Sequence, residues 1–216
     1  MTLLSLAEAA EQIGVSLRQA RNLAARGDIG LIARGVIDAD SVSAFLRNRG
    51  QVARRVWSEE TAWAAIGLLA GEDISWLGAT QASRLRKQVS GMDAAELTSR
   101  IRNRATVHRF DGHRSVTSTV AEQLVSGAAL VGHLTVERGV DGYLDEDLLA
   151  DLVDRFHLRA TSNGAITIRA THHLARAGSI ATRDAELLAS VDLATSVDAR
   201  EREAALAVIA GRVAAL

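Results

Sequence analysis

The chain has 216 residues, 48% of them hydrophobic and 24% charged, which is enough apolar material to bury a proper core and excludes an intrinsically disordered polymer. It contains no cysteine, which excludes disulfides, thiolate chemistry and a cysteine zinc site, and no proline, so glycine has to mark the element boundaries. The net charge of −1 hides an asymmetry: residues 1–114 hold 16 Arg and Lys against 12 Asp and Glu, and residues 115–216 hold 9 against 14. A basic front half suits a polyanion and an acidic back half suits a different partner, unless both are simply solvated surfaces. No apolar run approaches the length of a membrane span. The first residues lack a basic stretch and soon meet Glu8 and Glu11, so no signal peptide is expected and a cytoplasmic location fits.

In chain order, Ser5 with Glu8 three residues on is a capping-box start for a helix to about Ile13, whose Leu6, Ala9, Ala10 and Ile13 share one face. Gly14 stops it, Ser16 caps a second helix to about Arg26, and Gly27 stops that one. Ile29–Ile32 and Val36–Ile37 read as short strands around Arg34 and Gly35, and a third helix begins at Asp38 or Asp40 and ends near Gly50. Ser58 caps a helix holding Trp63, Ile66 and Leu69. Further helices fit 80–89, 93–103 and 116–125, with a strand at Thr106–Phe110 before the last of them. Tyr143–Leu144 ends a strand, and Asp145–Phe156 is an amphipathic helix with Leu148, Leu149, Leu152, Val153 and Phe156 on one face. Two β-like runs, 158–161 and 165–169, flank Asn163–Gly164, a strong hairpin signal. Helices near 183–194 and 199–214 close the chain. The expected fold is α+β and mostly helical. It has an N-terminal winged helix-turn-helix (1–50), a basic helical middle (58–114) and an acidic α/β C-terminal region with a β-hairpin (115–216).

The second helix carries the sharpest functional pattern. Leu17, Ala20, Leu23 and Ala24 supply a buried face, while Ser16, Arg18, Gln19, Arg21 and Asn22 point elsewhere. Arginine matches the acceptor pair on guanine, and Asn or Gln matches the donor–acceptor pair on adenine. Arg26, Arg34, Arg47 and Arg49 are placed to hold phosphates. The alternative is a small helical domain whose arginines are only solvated.

The run from Ser5 to Ser16, with Arg18, Arg21, Gly27 and Ile29, resembles the MerR/excisionase-type helix-turn-helix, and Ala33, Arg34 and Gly35 resemble that family's wing. The resemblance implies that Ser16, Arg18 and Arg21 face DNA. The wing is shorter here and keeps one arginine, and no long heptad helix for dimerisation follows residue 50. The remainder is similar to AbiEi-family antitoxins of type IV, abortive-infection toxin–antitoxin systems. The segments that carry this are Trp63–Trp76, Ser83–Arg86, Gly142–Val153 and Asn163–Arg169. That likeness implies autorepression at the protein's own promoter, on double-stranded DNA, and neutralisation of a nucleotidyltransferase-type toxin. The alternative is an excisionase-like architectural factor without a toxin partner, though such factors are far shorter.

Other groups read more plainly. Arg84, Arg86, Lys87, Arg100, Arg102, Arg104 and Arg109 form a second basic cluster, which either extends a phosphate track, touches an RNA-binding partner, or is the solvated outside of two helices. His108 and His113 around Asp111, and the adjacent His172 and His173, lack helical metal-ligand spacing. The acids Asp145, Glu146, Asp147, Asp151 and Asp154 suit a helix N-terminus. Trp57, Trp63 and Trp76 read as core anchors. No catalytic residue, metal or cofactor is expected, and the chain reads as a regulator rather than an enzyme.

Overall fold

Ser5 ends a short strand and begins the first helix. The computed structural model describes residues 3–25, 27–33, 35–50, 56–135, 139–161, 164–196 and 198–216, excepting the side chains of 40, 44 and 47–50. In it β1 (Leu3–Ser5) runs directly into α1 (Leu6–Ile13). Glu8 N donates to the Ser5 hydroxyl at 3.2 Å and Ser5 N donates to the Glu8 carboxylate at 2.7 Å, the reciprocal cap that the spacing predicts. Gly14 stops the helix in the left-handed region at φ 70°, and its N–H and that of Val15 satisfy carbonyls of the last turn. α2 (Leu17–Ala25) follows and gives way to Gly27, φ 76°. β2 (Leu31–Ala33) and β3 (Val36–Asp38) pair antiparallel, β1 joins the other edge of β3, and α3 (Ala39–Gly50) comes last. Ala9, Ile13, Ala24, Ile29, Ile37 and Val42 make the core. β1 was not expected: three residues are too few to show an alternating pattern.

The chain divides into two compact units, Met1–Arg54 and Arg55–Leu216, so the boundary expected near residue 114 falls inside the second unit. That unit opens with α4 (Glu59–Leu69), a 3₁₀ turn at Ser75–Leu77, α5 (Ala79–Val89), α6 (Ala94–Arg100), a second turn at Arg102–Arg104 and β4 (Thr106–Asp111). Next come α7 (Arg114–Ala121), β5 (Leu130–Val131), β6 (Leu134–Thr135) and β7 (Val140–Asp145). A turn at Glu146–Leu148 leads to α8 (Leu149–Arg155), β8 (Arg159–Ala160) and β9 (Ile166–Thr171). α9 (Leu174–Arg183), α10 (Ala185–Leu193) and α11 (Ala199–Ala214) close it. The described helices and small sheets place the chain in the α+β class.

The main sheet has the order β7-β9-β4-β8, with β7 and β9 parallel and the other pairs antiparallel. Alternation along the strands sends Phe110, Val140, Leu144, Ile166 and Ile168 to one face, against Val120 and Leu152. Tyr143 has the opposite parity and enters a larger core with Trp63, Ile66, Leu85, Leu97, Leu188 and Ile209. The strand β4 therefore joins sequence before residue 114 to sequence after it.

Two expectations need correction here. The runs at 158–161 and 165–169 do not form a hairpin with each other: β8 and β9 lie on either side of β4. Gly164 is needed for close passage instead, since a Cβ there would stand 2.2 Å from the Phe110 carbonyl oxygen; Ser162 and Asn163 lie outside the described residues. Among the described residues of this unit β5 and β6 form a hairpin, turning at Gly132 and His133. Finally, Leu148 is exposed rather than on the apolar face, because the chain from 146 to 148 is a 3₁₀ turn whose side-chain phase differs from that of α8.

Candidate nucleic-acid interface

α2 is presented by local chemistry at its first turn. Gln19 N donates to the Ser16 hydroxyl at 3.2 Å and Ala20 N to the Ser16 carbonyl, so Ser16 starts the helix and keeps its own O–H available as a donor. Ala20 and Ala24 are buried and Leu23 half-buried, which fixes the inner face. Arg18, Gln19, Arg21 and Asn22 are all exposed on the other side. The helix contains no acidic residue, and among the described residues no ion pair reaches Arg18 or Arg21. Leu17, expected inside, is 47% exposed; it stands at the first turn, next to the polar row. An apolar side chain there is suited to contact a thymine methyl group.

The β2–β3 connection turns at Gly35, φ 81°, and its carbonyl accepts from Leu6 N, tying the turn to the start of α1. Ser41 fixes the base of this hairpin by accepting from Gly30 N at 2.8 Å and donating to the Asp38 carbonyl. Leu31 and Ile32 are exposed. Arg26 and Arg34 lie outside the described residues, and Arg47 and Arg49 are on α3 with side chains that also lie outside them.

The second basic cluster is not one surface. Arg100 is bonded to Glu96 at 3.0 Å and stacks over Trp57. Arg104 is buried: its guanidinium donates to Asp192 and to the Tyr143 hydroxyl, each at 2.8 Å. Tyr143 donates in turn to Asp192, and Arg169 bridges Asp192 at 3.3 Å and Asp141 at 3.0 Å. Trp63 Nε1 donates to the Arg104 carbonyl and to the Thr171 hydroxyl, which itself donates to Glu59. Burial alone would push the Asp192 carboxyl up, but Arg169, Arg104 and the Tyr143 hydroxyl outweigh it and hold the carboxyl below its ordinary range. Burial pushes the Tyr143 hydroxyl up. Two guanidiniums thus face two carboxylates, and the Asp192 side chain is only 1% exposed, closed to any substrate. Sequence reading placed Arg104 in a basic cluster that held phosphate, met an RNA-binding partner or was solvated, and paired it with neither Asp192 nor Asp141. Their pairing spans sheet and helices far apart in the chain, so no local spacing announces it.

The remaining candidates have structural duties. His113 caps α7 by accepting from Ser115 N, His108 stacks on Phe110, and His172 lies 3.6 Å from Glu146. Asp145 caps the turn before α8. Among the described residues no three His, Asp or Glu side chains are grouped to hold a metal. No described helix is long and apolar enough to cross a membrane. Trp63 is fully buried, while Trp57 and Trp76 are partly buried against the larger core. An open groove of about 540 Å³ runs along α11, floored by Ala204, Ala207, Val208 and Gly211. No family model, curated protein or solved structure matches the chain.

Proposed function

We propose that this chain is a DNA-binding transcriptional regulator whose α2 is the recognition helix of an N-terminal winged helix-turn-helix, and that it serves as an antitoxin. The observation that carries the first part is the exposed, acid-free face of α2, with Leu17, Arg18, Gln19, Arg21 and Asn22 standing over a buried alanine line. Such a helix offers bidentate donors to base edges at its N-terminal end, where recognition helices meet the major groove. The antitoxin part rests on the resemblance to AbiEi-family proteins. It is supported by the acids Glu146, Asp147, Asp151 and Asp154, all exposed, which suit encounter with a basic, RNA-modifying partner. The 162-residue second unit, with a core of its own, weighs against a short architectural factor.

The test is binding of the intact chain to its own promoter fragment and to a random duplex of equal length. Arg18→Ala and Arg21→Ala should each cost about 1–3 kcal/mol on the promoter and narrow the ratio between the two duplexes. Unchanged affinity and ratio in both variants would remove α2 from the interface. For the antitoxin part, co-expression with a neighbouring nucleotidyltransferase gene should restore growth; continued growth arrest would overturn it.

A further inference from the structure

α5 repeats, in the second unit, the pattern that singles out α2. From Ile74 to Met92 the chain contains no Asp or Glu, although Arg55–Leu216 as a whole holds 21 acids against 18 Arg and Lys. α5 buries one line, Ala82, Leu85 and Val89. Arg84, Arg86 and Lys87 are exposed. A 3.6-residue period sets Thr80, Ser83, Arg84 and Lys87 opposite the buried line, with Arg84 and Lys87 neighbours along the outer row.

What distinguishes these cations is that they stand together on one helix that carries no acid. Some arginines of this unit are engaged, Arg100 with Glu96, Arg104 with Asp192, Arg169 with Asp141 and Arg212 with Asp184, while Arg102, Arg109, Arg114, Arg159 and Arg200 are exposed without an ion pair among the described residues, each on a different element. α9, the other helix here with two arginines and no acid, stacks Arg176 on Trp76 at 4.3 Å and donates Arg183 to the Gly71 carbonyl. Arg86 is near enough to Asp73 to lower that carboxyl, whose main cause of lowering is its bonding to Ser75. Among the described residues no ion pair or hydrogen bond reaches the side chains of Arg84 or Lys87.

We infer that the outer face of α5 is a second DNA contact, in which Arg84 and Lys87 hold backbone phosphates with the Thr80 and Ser83 hydroxyls as further donors. The choice of DNA rests on the reading of α2. The row suits phosphate rather than bases: a lysine ammonium is a mobile point charge, and hydroxyl donors serve any phosphate oxygen without regard to sequence. A basic toxin would be repelled by this face, so it is not the partner surface of the antitoxin reading. The chain then carries a base-reading helix and a sequence-blind one.

The experiment uses the intact chain and the double variant Arg84→Gln/Lys87→Gln, titrated against the promoter fragment, a random DNA duplex and an RNA duplex over a salt series. Losing two phosphate contacts should flatten the slope of log affinity against log salt by about 2 on both DNA duplexes. The promoter-to-random ratio should stay as in the wild type, and thermal unfolding should not move, since both side chains are exposed. An unchanged slope on the random DNA duplex overturns the inference. A larger loss on RNA than on DNA overturns the choice of ligand. Should the wild type show no promoter preference while the variant still loses random-duplex binding, the α2 reading fails and this contact stands; no duplex binding by the wild type would end both.

Discussion

Arg18 and Arg21 in Met1–Arg54 stand exposed on α2 and meet no carboxylate among the described residues, whereas Arg104 and Arg169 in Arg55–Leu216 are enclosed with Asp192 and Asp141. The same side chain thus stands in opposite settings at these two places. A guanidinium taken out of water is tolerated only with a charge partner and satisfied donors, so the buried pair ties β7 and β9 of the sheet to α10. An exposed guanidinium without a partner ties nothing inside the protein and is free to meet an external anion. The partner, rather than the density of arginine along the chain, separates the two roles.

The sharpest way to break the comparison is to remove the shared carboxylate. Asp192→Ala leaves two buried guanidiniums with one carboxylate between them, and the expected cost is about 3–5 kcal/mol. All three tryptophans lie in Arg55–Leu216, so tryptophan fluorescence during urea unfolding follows that unit alone. A shift below about 1 kcal/mol would show that the network adjusts and does not hold the sheet to α10.

pH sharpens the same point with a graded effect. Asp192 is held below its ordinary range, so its contribution is complete above about pH 3.9 and is lost as pH falls through its folded-state value. Tyr143 is pushed upward by burial, so its contribution is complete below about pH 10 and is lost as pH rises further. The fluorescence-detected stability should be level between these limits. The gap between wild type and Asp192→Asn should narrow below about pH 4, where the carboxyl takes a proton in the unfolded chain before it does so in the folded protein. A gap that stays constant down to pH 2 would mean that the aspartate's charge is not what the variant removes.

Much of this was legible before the structure. Ser5, Glu8, Gly14 and Gly27 act through neighbours within four residues, and they bound α1 and α2 where the sequence places them. The exposed set on α2 followed from helical period, except Leu17, which stands too near the helix start for its period to bury it. Signals that depend on distant strands were misread. Asn163–Gly164 has the chemistry of a hairpin turn, yet Gly164 is there because β4 passes against its Cα. Arg104 lies amid cations in sequence and amid acceptors in space. α9 escapes a reading from sequence because no side chain caps its start, although its buried Ala177 and Ile180 keep helical spacing.

The smallest effect expected is on the stability of Arg18→Ala and Arg21→Ala, and it is informative because it is small. Both side chains are exposed and without ion pairs among the described residues, so their removal forfeits no buried contact. Alanine is at least as good a helix former as arginine, which offsets the little packing that the long stems provide. Each variant should therefore unfold within about 0.5 kcal/mol of wild type, as surface substitutions generally do. Ala20 on the same helix is the counterpart. It is fully buried, and Ala20→Leu forces three extra carbons into the core formed with α1, at a cost of about 1–3 kcal/mol. Circular dichroism during thermal unfolding of the intact chain compares the three, since no tryptophan reports on this unit. Should Arg18→Ala or Arg21→Ala prove as damaging as Ala20→Leu, the arginine has a partner inside the protein, and its claim to be a DNA contact is withdrawn along with the contrast between the two units.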